Sequence, residues 1–317
     1  GIQFLLQPQL SLVAINVVCR ETLKGLRPAV RLAARLACVA AFALIAVSKA
    51  SAQQSQPPTQ PPAGVAAENN GEDFTRPQTL LQLRYLYQTA PGSGTVPGTF
   101  RTVTTDSLIL RSDAKIDFAP QWTLALRGDL PFTAKNAITS ADPTGGYVYG
   151  LGDADVQAAL IRTIDARWAA GAGFRAVAPT GTDGLTSGTW QALPMVGARY
   201  MLPEISAGSF FTGLVRYAAS FAAEPGAKNV SNLQFAPTLN IFLPNRWFVT
   251  FYPSPDIRIN YGDPITGQTG RLFLPFDFMV GRDIGKNITV SLEASVPIVN
   301  QYPVYDFKTV ARLNLKF

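Results

Sequence analysis

The sequence predicts an all-β fold, a transmembrane antiparallel up-and-down β-barrel of about twelve strands. Three observations carry this. Residues 304–317 alternate almost without error, with Tyr305, Phe307, Thr309, Ala311, Leu313, Leu315 and Phe317 on one side and Asp306, Lys308, Val310, Arg312, Asn314 and Lys316 on the other. The chain of 317 residues is 47% hydrophobic and 15% charged. Outside a short leader run, however, no window supplies the roughly 20 consecutive apolar residues that a membrane helix needs. Apolar content without helical spans leaves the closed barrel as the way across a bilayer. Finally, short and long connections alternate along the chain, as they do between the two rims of a membrane barrel.

Residues 1–52 read as a leader. Arg27, Arg31 and Arg35 form a basic region, residues 38–47 an apolar region, and Ala50, Ser51 and Ala52 a small-residue cleavage site. The mature chain is expected to begin at Gln53. Residues 1–26 precede an ordinary signal and position 1 is not Met, so an upstream start or a fragment is expected there. The leader holds six of the 27 Lys and Arg and one of the 21 Asp and Glu, so the net +6 falls to +1 in the remainder. That balance gives no ground for a nucleic-acid partner. Cys19 and Cys38 also lie in the leader, which leaves no thiol for a disulfide or a thiolate metal site. Residues 53–78 are rich in Gln and Pro and are expected to form a disordered periplasmic tail rather than a plug.

From residue 79 the period becomes two. Strands are expected at 79–89, 102–118, 122–132, 149–162, 167–178, 190–202, 209–221, 229–243, 247–261, 270–283, 287–298 and 304–317. In the eleventh, Ile288, Val290, Leu292, Ala294, Val296 and Ile298 point one way and Asn287, Thr289, Ser291, Glu293 and Ser295 the other. Short turns at 119–121, 163–166, 203–208, 244–246 and 284–286 mark the periplasmic rim, and the longest loops, 90–101, 133–148 and 179–189, the extracellular one. Trp122, Trp168 and Trp247 open strands directly after short turns, and Phe118 and Phe317 end strands on that same side. Amphipathic rings at one depth form an interfacial belt.

The wet inner face is where chemistry must lie. Counting through the turn at 119–121 sets Asp113 opposite Arg127 and Arg111 opposite Asp129, two cross-strand ion pairs facing the lumen. A similar count through 284–286 sets Asp277 opposite Glu293, with Lys308 level with Glu293 on the next strand as the neutralising partner. Asp153 and Asp155 face Arg175 across a turn, so pairing is expected before cation binding. Arg84, Arg199, Arg216, Asp256 and Arg258 complete a pore lining of mixed sign with weak net ion selectivity.

The chain contains no histidine. Serine-histidine hydrolysis, Asp-His proteolysis and imidazole metal sites are therefore unavailable to it, and neither an enzyme activity nor a cofactor is expected. Gly150-Leu-Gly152 and Gly171-Ala-Gly173 each run into an alternating strand rather than a helix that would hold a pyrophosphate. Arg127-Gly128-Asp129 spells an adhesion tripeptide, but its charged ends face the lumen.

Residues 126–132 (LRGDLPF), 150–157 (GLGDADVQ) and 178–183 (APTGTD) followed by Gly188, Thr189 and Trp190, together with the Phe-terminated last strand, resemble the outer-membrane family of phenol meta-pathway degradation proteins. The resemblance covers most of residues 79–317. It implies a transporter-like barrel that passes small solutes, aromatic or hydrophobic ones among them, and it carries over no catalytic residue. The expectation is a monomeric, narrow passive channel in the bacterial outer membrane. Its partners are membrane lipid, a small-molecule solute, and the barrel-assembly machinery, which Leu313, Leu315 and Phe317 would signal. A closed structural barrel is the alternative.

Overall fold

The computed structural model describes residues 69–96, 98–139 and 142–317. The leader and residues 53–68 of the expected tail lie outside the described residues. The strands are β1 (Leu80–Ser93), β2 (Phe100–Ala119), β3 (Trp122–Lys135), β4 (Val148–Leu151), β5 (Ala154–Thr163), β6 (Trp168–Ala178), β7 (Thr189–Met201), β8 (Phe210–Ala223), β9 (Ser231–Phe242), β10 (Trp247–Phe251), β11 (Ile257–Asn260), β12 (Leu272–Ile284), β13 (Ile288–Asn300) and β14 (Phe307–Lys316). β4 and β5 both pair with β3, and β10 and β11 both lie between β9 and β12, so fourteen segments make twelve walls. Every pairing is antiparallel, and β1 bonds β14 from Leu80↔Lys316 to Thr89↔Phe307 to close the barrel. Strand spacing and tilt give a backbone diameter of about 25 Å. Closure satisfies the backbone groups of the first and last strands, which lipid could not.

Alternation decides what each side chain faces. On β13, Leu292 is 59% exposed on the outside, whereas Thr289 and Glu293 are buried inside. Leu83, Leu108, Leu313 and Leu315 share the outward apolar band. Near the periplasmic rim, Trp168 stacks with Tyr200 at 4.9 Å, while Arg162 and Arg282 lie over Trp122 and Trp247 at 5.6 and 5.4 Å. These arginines keep their heads at the polar interface while their stems cover apolar surface. In the turn before Trp168, Asp165 accepts the backbone N–H groups of Trp168 and Arg167, which hold its carboxyl below the usual carboxylate range. An apolar exterior flanked by aromatic rings makes this an outer-membrane barrel.

The short turns use left-handed backbone to reverse direction, at Gln121 (φ 69), Gly208 (φ 87), Asn245 (φ 59) and Gly285 (φ 69). Among the described residues no helix is long and apolar enough to cross a membrane.

Three expectations are corrected. Two walls expected to be continuous are broken, at 152–153 and 252–256. In the second, Pro253 and Pro255 carry no N–H for a ladder, and Tyr252 adopts φ 52. Next, Ile284 pairs with Ile288, so Asp277 faces Ser295 and Glu293 faces Met279, two residues from the expected register. The turn spans 285–287 rather than 284–286, and each added loop residue moves the pairing. Finally, residues 69–78, expected to be a disordered periplasmic tail, run inside the barrel, where Asn70, Asp73 and Thr75 are buried.

Candidate functional site

Inward positions on adjacent strands place charges in two belts. The first crosses β2, β3, β5 and β6. Arg111 clasps Asp129 through Nε at 2.6 Å and Nη2 at 2.5 Å, and Arg127 clasps Asp113 in the same forked way at 2.6 and 2.8 Å. Arg175 continues the belt to Asp155 at 2.5 Å and lies 3.8 Å from Asp129. Two parallel N–H···O bonds fix a guanidinium against a carboxylate, so these residues form a stiffened wall. Arg111 and Asp129 are buried, whereas Arg127 is 28% exposed.

The second belt centres on Lys308 of β14. Its Nζ lies 2.5 Å from Asp256 and 3.5 Å from Asp277, and it contacts Glu293. The three buried carboxylates bring their oxygens within 4.8 Å of one another, the arrangement a hard cation would take, and the ammonium occupies it. Asp256 also pairs with Arg258 at 3.1 Å and accepts the Tyr305 hydroxyl at 3.1 Å; that hydroxyl lies 2.7 Å from Ser295. Arg312 engages Glu293 from below.

The inner segment 69–78 is bound to this lining. Asn70 donates to Asn240 at 2.9 Å, Glu72 meets Arg312 at 3.0 Å, and Asp73 lies 2.7 Å from Arg76 and 3.3 Å from Arg199. Asp73 also accepts the Thr75 N–H and hydroxyl, which turns the chain locally. Phe74 lies against the bare backbone of β6 and β7: a Cβ on Gly197 would sit 2.6 Å from its ring, and one on Gly171 3.5 Å. Below the segment a cavity of about 500 Å³, lined in part by Arg76, Gln78, Lys115, Asp117 and Lys316, opens at the periplasmic rim.

The remaining expected residues have separate fates. Asp153 does not meet Arg175; it accepts N–H groups of Gly181 and Ser187 at 3.1 and 2.7 Å and so pins the extracellular loop between β6 and β7. Arg84 and Arg216 rest on amides, Gln82 and Gln234. Leu313, Leu315 and Phe317 face outward, Phe317 being 83% exposed with its N–H on the Thr79 carbonyl at 3.0 Å. The sequence reading omitted Asn70, Glu72, Asp73 and Arg312 from the site. The available signal was Arg199, inward on β7 with neutral residues, Ala169 and Thr212, opposite it on both neighbouring strands, which called for a partner from elsewhere.

No family model matches the sequence, and no curated protein matches it. Among solved structures the chain is similar to an outer membrane channel from Pseudomonas putida F1, with a TM-score of 0.59 at 15% identity over 81% of this chain and 100% of that one. It is more distantly similar to the transport unit of the autotransporter AIDA-I from Escherichia coli, with a TM-score of 0.45 at 10% identity over 77% and 92% of the two chains. A third similarity is to the Ralstonia pickettii toluene transporter TbuX, with a TM-score of 0.41 at 10% identity over 79% and 92%. At these identities the first similarity establishes the fold alone, that of an outer-membrane β-barrel.

Proposed function

We propose that the chain is a monomeric outer-membrane channel for passive passage of small solutes. The observation that carries this reading is a closed barrel whose inner wall is polar and charged along its length, from Lys316 and Asp283 below to Asp256 and Lys308 above. A barrel that served only as an anchor would have no need of so many lumen charges, each of which must be paired or hydrated. The channel from Pseudomonas putida F1, which shares the fold, supports the same reading. Aromatic or hydrophobic solutes enter the proposal through the resemblance to the phenol meta-pathway family, and the absence of catalysis through the lack of histidine. Leu313, Leu315 and Phe317 are proposed as the signal read by the assembly machinery.

One observation favours the rival, a closed structural barrel: the inner segment occupies the periplasmic half of the lumen through buried ion pairs. Single-channel recording of the refolded chain in a planar bilayer decides between them. Discrete conductance steps support the channel; a silent bilayer with fully folded protein supports the closed barrel.

A further inference from the structure

In the two belts and the inner segment, every lysine and arginine named above meets a carboxylate. Arg84 and Arg216, also in the lumen, do not. Among the described residues each guanidinium touches only a neutral amide through Nε, Arg84 at Gln82 and Arg216 at Gln234, the latter at 2.7 Å. Charges of both signs surround them, Arg111, Arg312, Asp129 and Glu72 near Arg84, and Arg175, Arg258, Asp155 and Asp256 near Arg216, but these neighbours are already paired with one another, which leaves one positive charge in excess at each place. Arg84 stands on β1 and Arg216 on β8, and five walls separate these strands in either direction round the barrel. Arg84 is the fifth residue of β1 and Arg216 the seventh of β8, both counted from the periplasmic end, so they stand on opposite walls in the periplasmic half of the barrel.

A guanidinium held partly away from bulk water with no carboxylate of its own favours a counter-ion. The terminal N–H groups left free on each form a planar fork whose spacing matches the two oxygens of a carboxylate, a match that a spherical ion cannot make. We infer that Arg84 and Arg216 each offer a binding position for a small carboxylate anion, on opposite walls of the lumen. The site rests on the channel reading for the route by which the anion arrives. It also turns a wall of nearly balanced charge into one that favours anions, because the belts neutralise themselves and these two charges remain.

The test is calorimetric titration of the full chain, refolded in detergent, with acetate and separately with chloride. The wild type is expected to bind acetate saturably and about tenfold more tightly than chloride. Arg84→Gln with Arg216→Gln should lose most of the acetate binding, whereas Arg84→Lys with Arg216→Lys should keep anion binding and lose the preference for acetate. Heat-modifiable gel mobility confirms folding, and if the Gln pair does not fold, the single Gln variants and the Lys pair make the same comparison. Equal acetate affinity in wild type and Gln variants, or no discrimination between acetate and chloride in the wild type, overturns the site. Planar-bilayer recording separates the two readings. Saturable acetate binding without conductance sinks the channel and leaves the site standing, and conductance without acetate binding does the reverse.

Discussion

Glu72 and Arg312, 240 residues apart in the chain, meet inside the barrel, where Arg312 Nη1 donates to both Glu72 carboxylate oxygens at 3.0 Å. The same guanidinium reaches Glu293 on β13 through Nη2. Arg312 thus joins the inner segment to the closing pair of strands, and the barrel cannot adopt this arrangement until its last strand is in place.

The ion pairs that hold the segment can be neutralised without changing side-chain size. Glu72→Gln with Asp73→Asn removes both attractions, leaving Arg312 to Glu293 and Arg199 without an acidic partner. Single-channel conductance is expected to rise, while heat-modifiable mobility stays that of a folded barrel. Phe74→Ala, which empties the notch against Gly171 and Gly197, should act in the same direction. Unchanged conductance in both variants would show that the segment does not constrict the pore.

Depth in the bilayer should set the penalty for an outward charge. Leu292, in the interior of β13, faces mid-bilayer lipid, whereas Ile284, at the end of β12, lies at the periplasmic turn. Leu292→Arg is expected to destabilise by about 2 to 4 kcal/mol, and Ile284→Arg by about 1 kcal/mol or less. Urea-dependent refolding into lipid vesicles measures both. Equal penalties would mean that the membrane band has been placed at the wrong height.

The terminal residue makes a separate prediction about assembly. Phe317 contributes almost nothing to packing, with 83% of its surface exposed, although its backbone N–H bonds Thr79. Deleting it should leave refolding in detergent close to that of the intact chain but reduce the folded fraction recovered from cell outer membranes, measured by heat-modifiable mobility. Comparable losses in both settings would point to a structural role rather than a signal.

Much of the fold was legible because a half-buried strand writes its period directly into sequence. The twelve walls and the cross-strand pairing of Arg111 with Asp129 follow from alternation and one turn length. The errors arise where that information stops. Asp277 against Glu293 failed because a single residue of turn assignment shifts the register, a quantity alternation alone does not fix. The break at 252–256 did carry a signal, two prolines within a strand, but it was outweighed by the apolar residues on either side. The inner segment was missed for a different reason. Low apolar content shows that residues 69–78, at the end of the Gln- and Pro-rich stretch 53–78, cannot build a core of their own, and says nothing of a core that the barrel supplies to them. Only its chemistry, Asn70, Glu72 and Asp73 beside Phe74, matched the amide, arginines and glycines already spaced along the inner wall.

The two forked pairs of the first belt should differ in worth despite their similar geometry. Arg127 and Asp113 are 28% and 11% exposed, so water screens them and Arg127→Ser should cost about 1 kcal/mol or less. Arg111 and Asp129 are only 8% and 7% exposed. Removing Arg111 leaves a buried carboxylate whose nearest cation is Arg175 at 3.8 Å, already committed to Asp155. A buried charge that loses its partner is strongly destabilising, on the order of 3 kcal/mol. Arg111→Ser is therefore expected to lower refolding stability well beyond Arg127→Ser. The second half of the argument concerns the carboxylate: if the penalty arises from stranding Asp129, then adding Asp129→Ser to Arg111→Ser should recover most of it, because no charge is left to desolvate. Urea-dependent refolding of the two single variants and the double variant tests this. Equal effects of Arg111→Ser and Arg127→Ser would mean that the whole belt is bathed in lumen water.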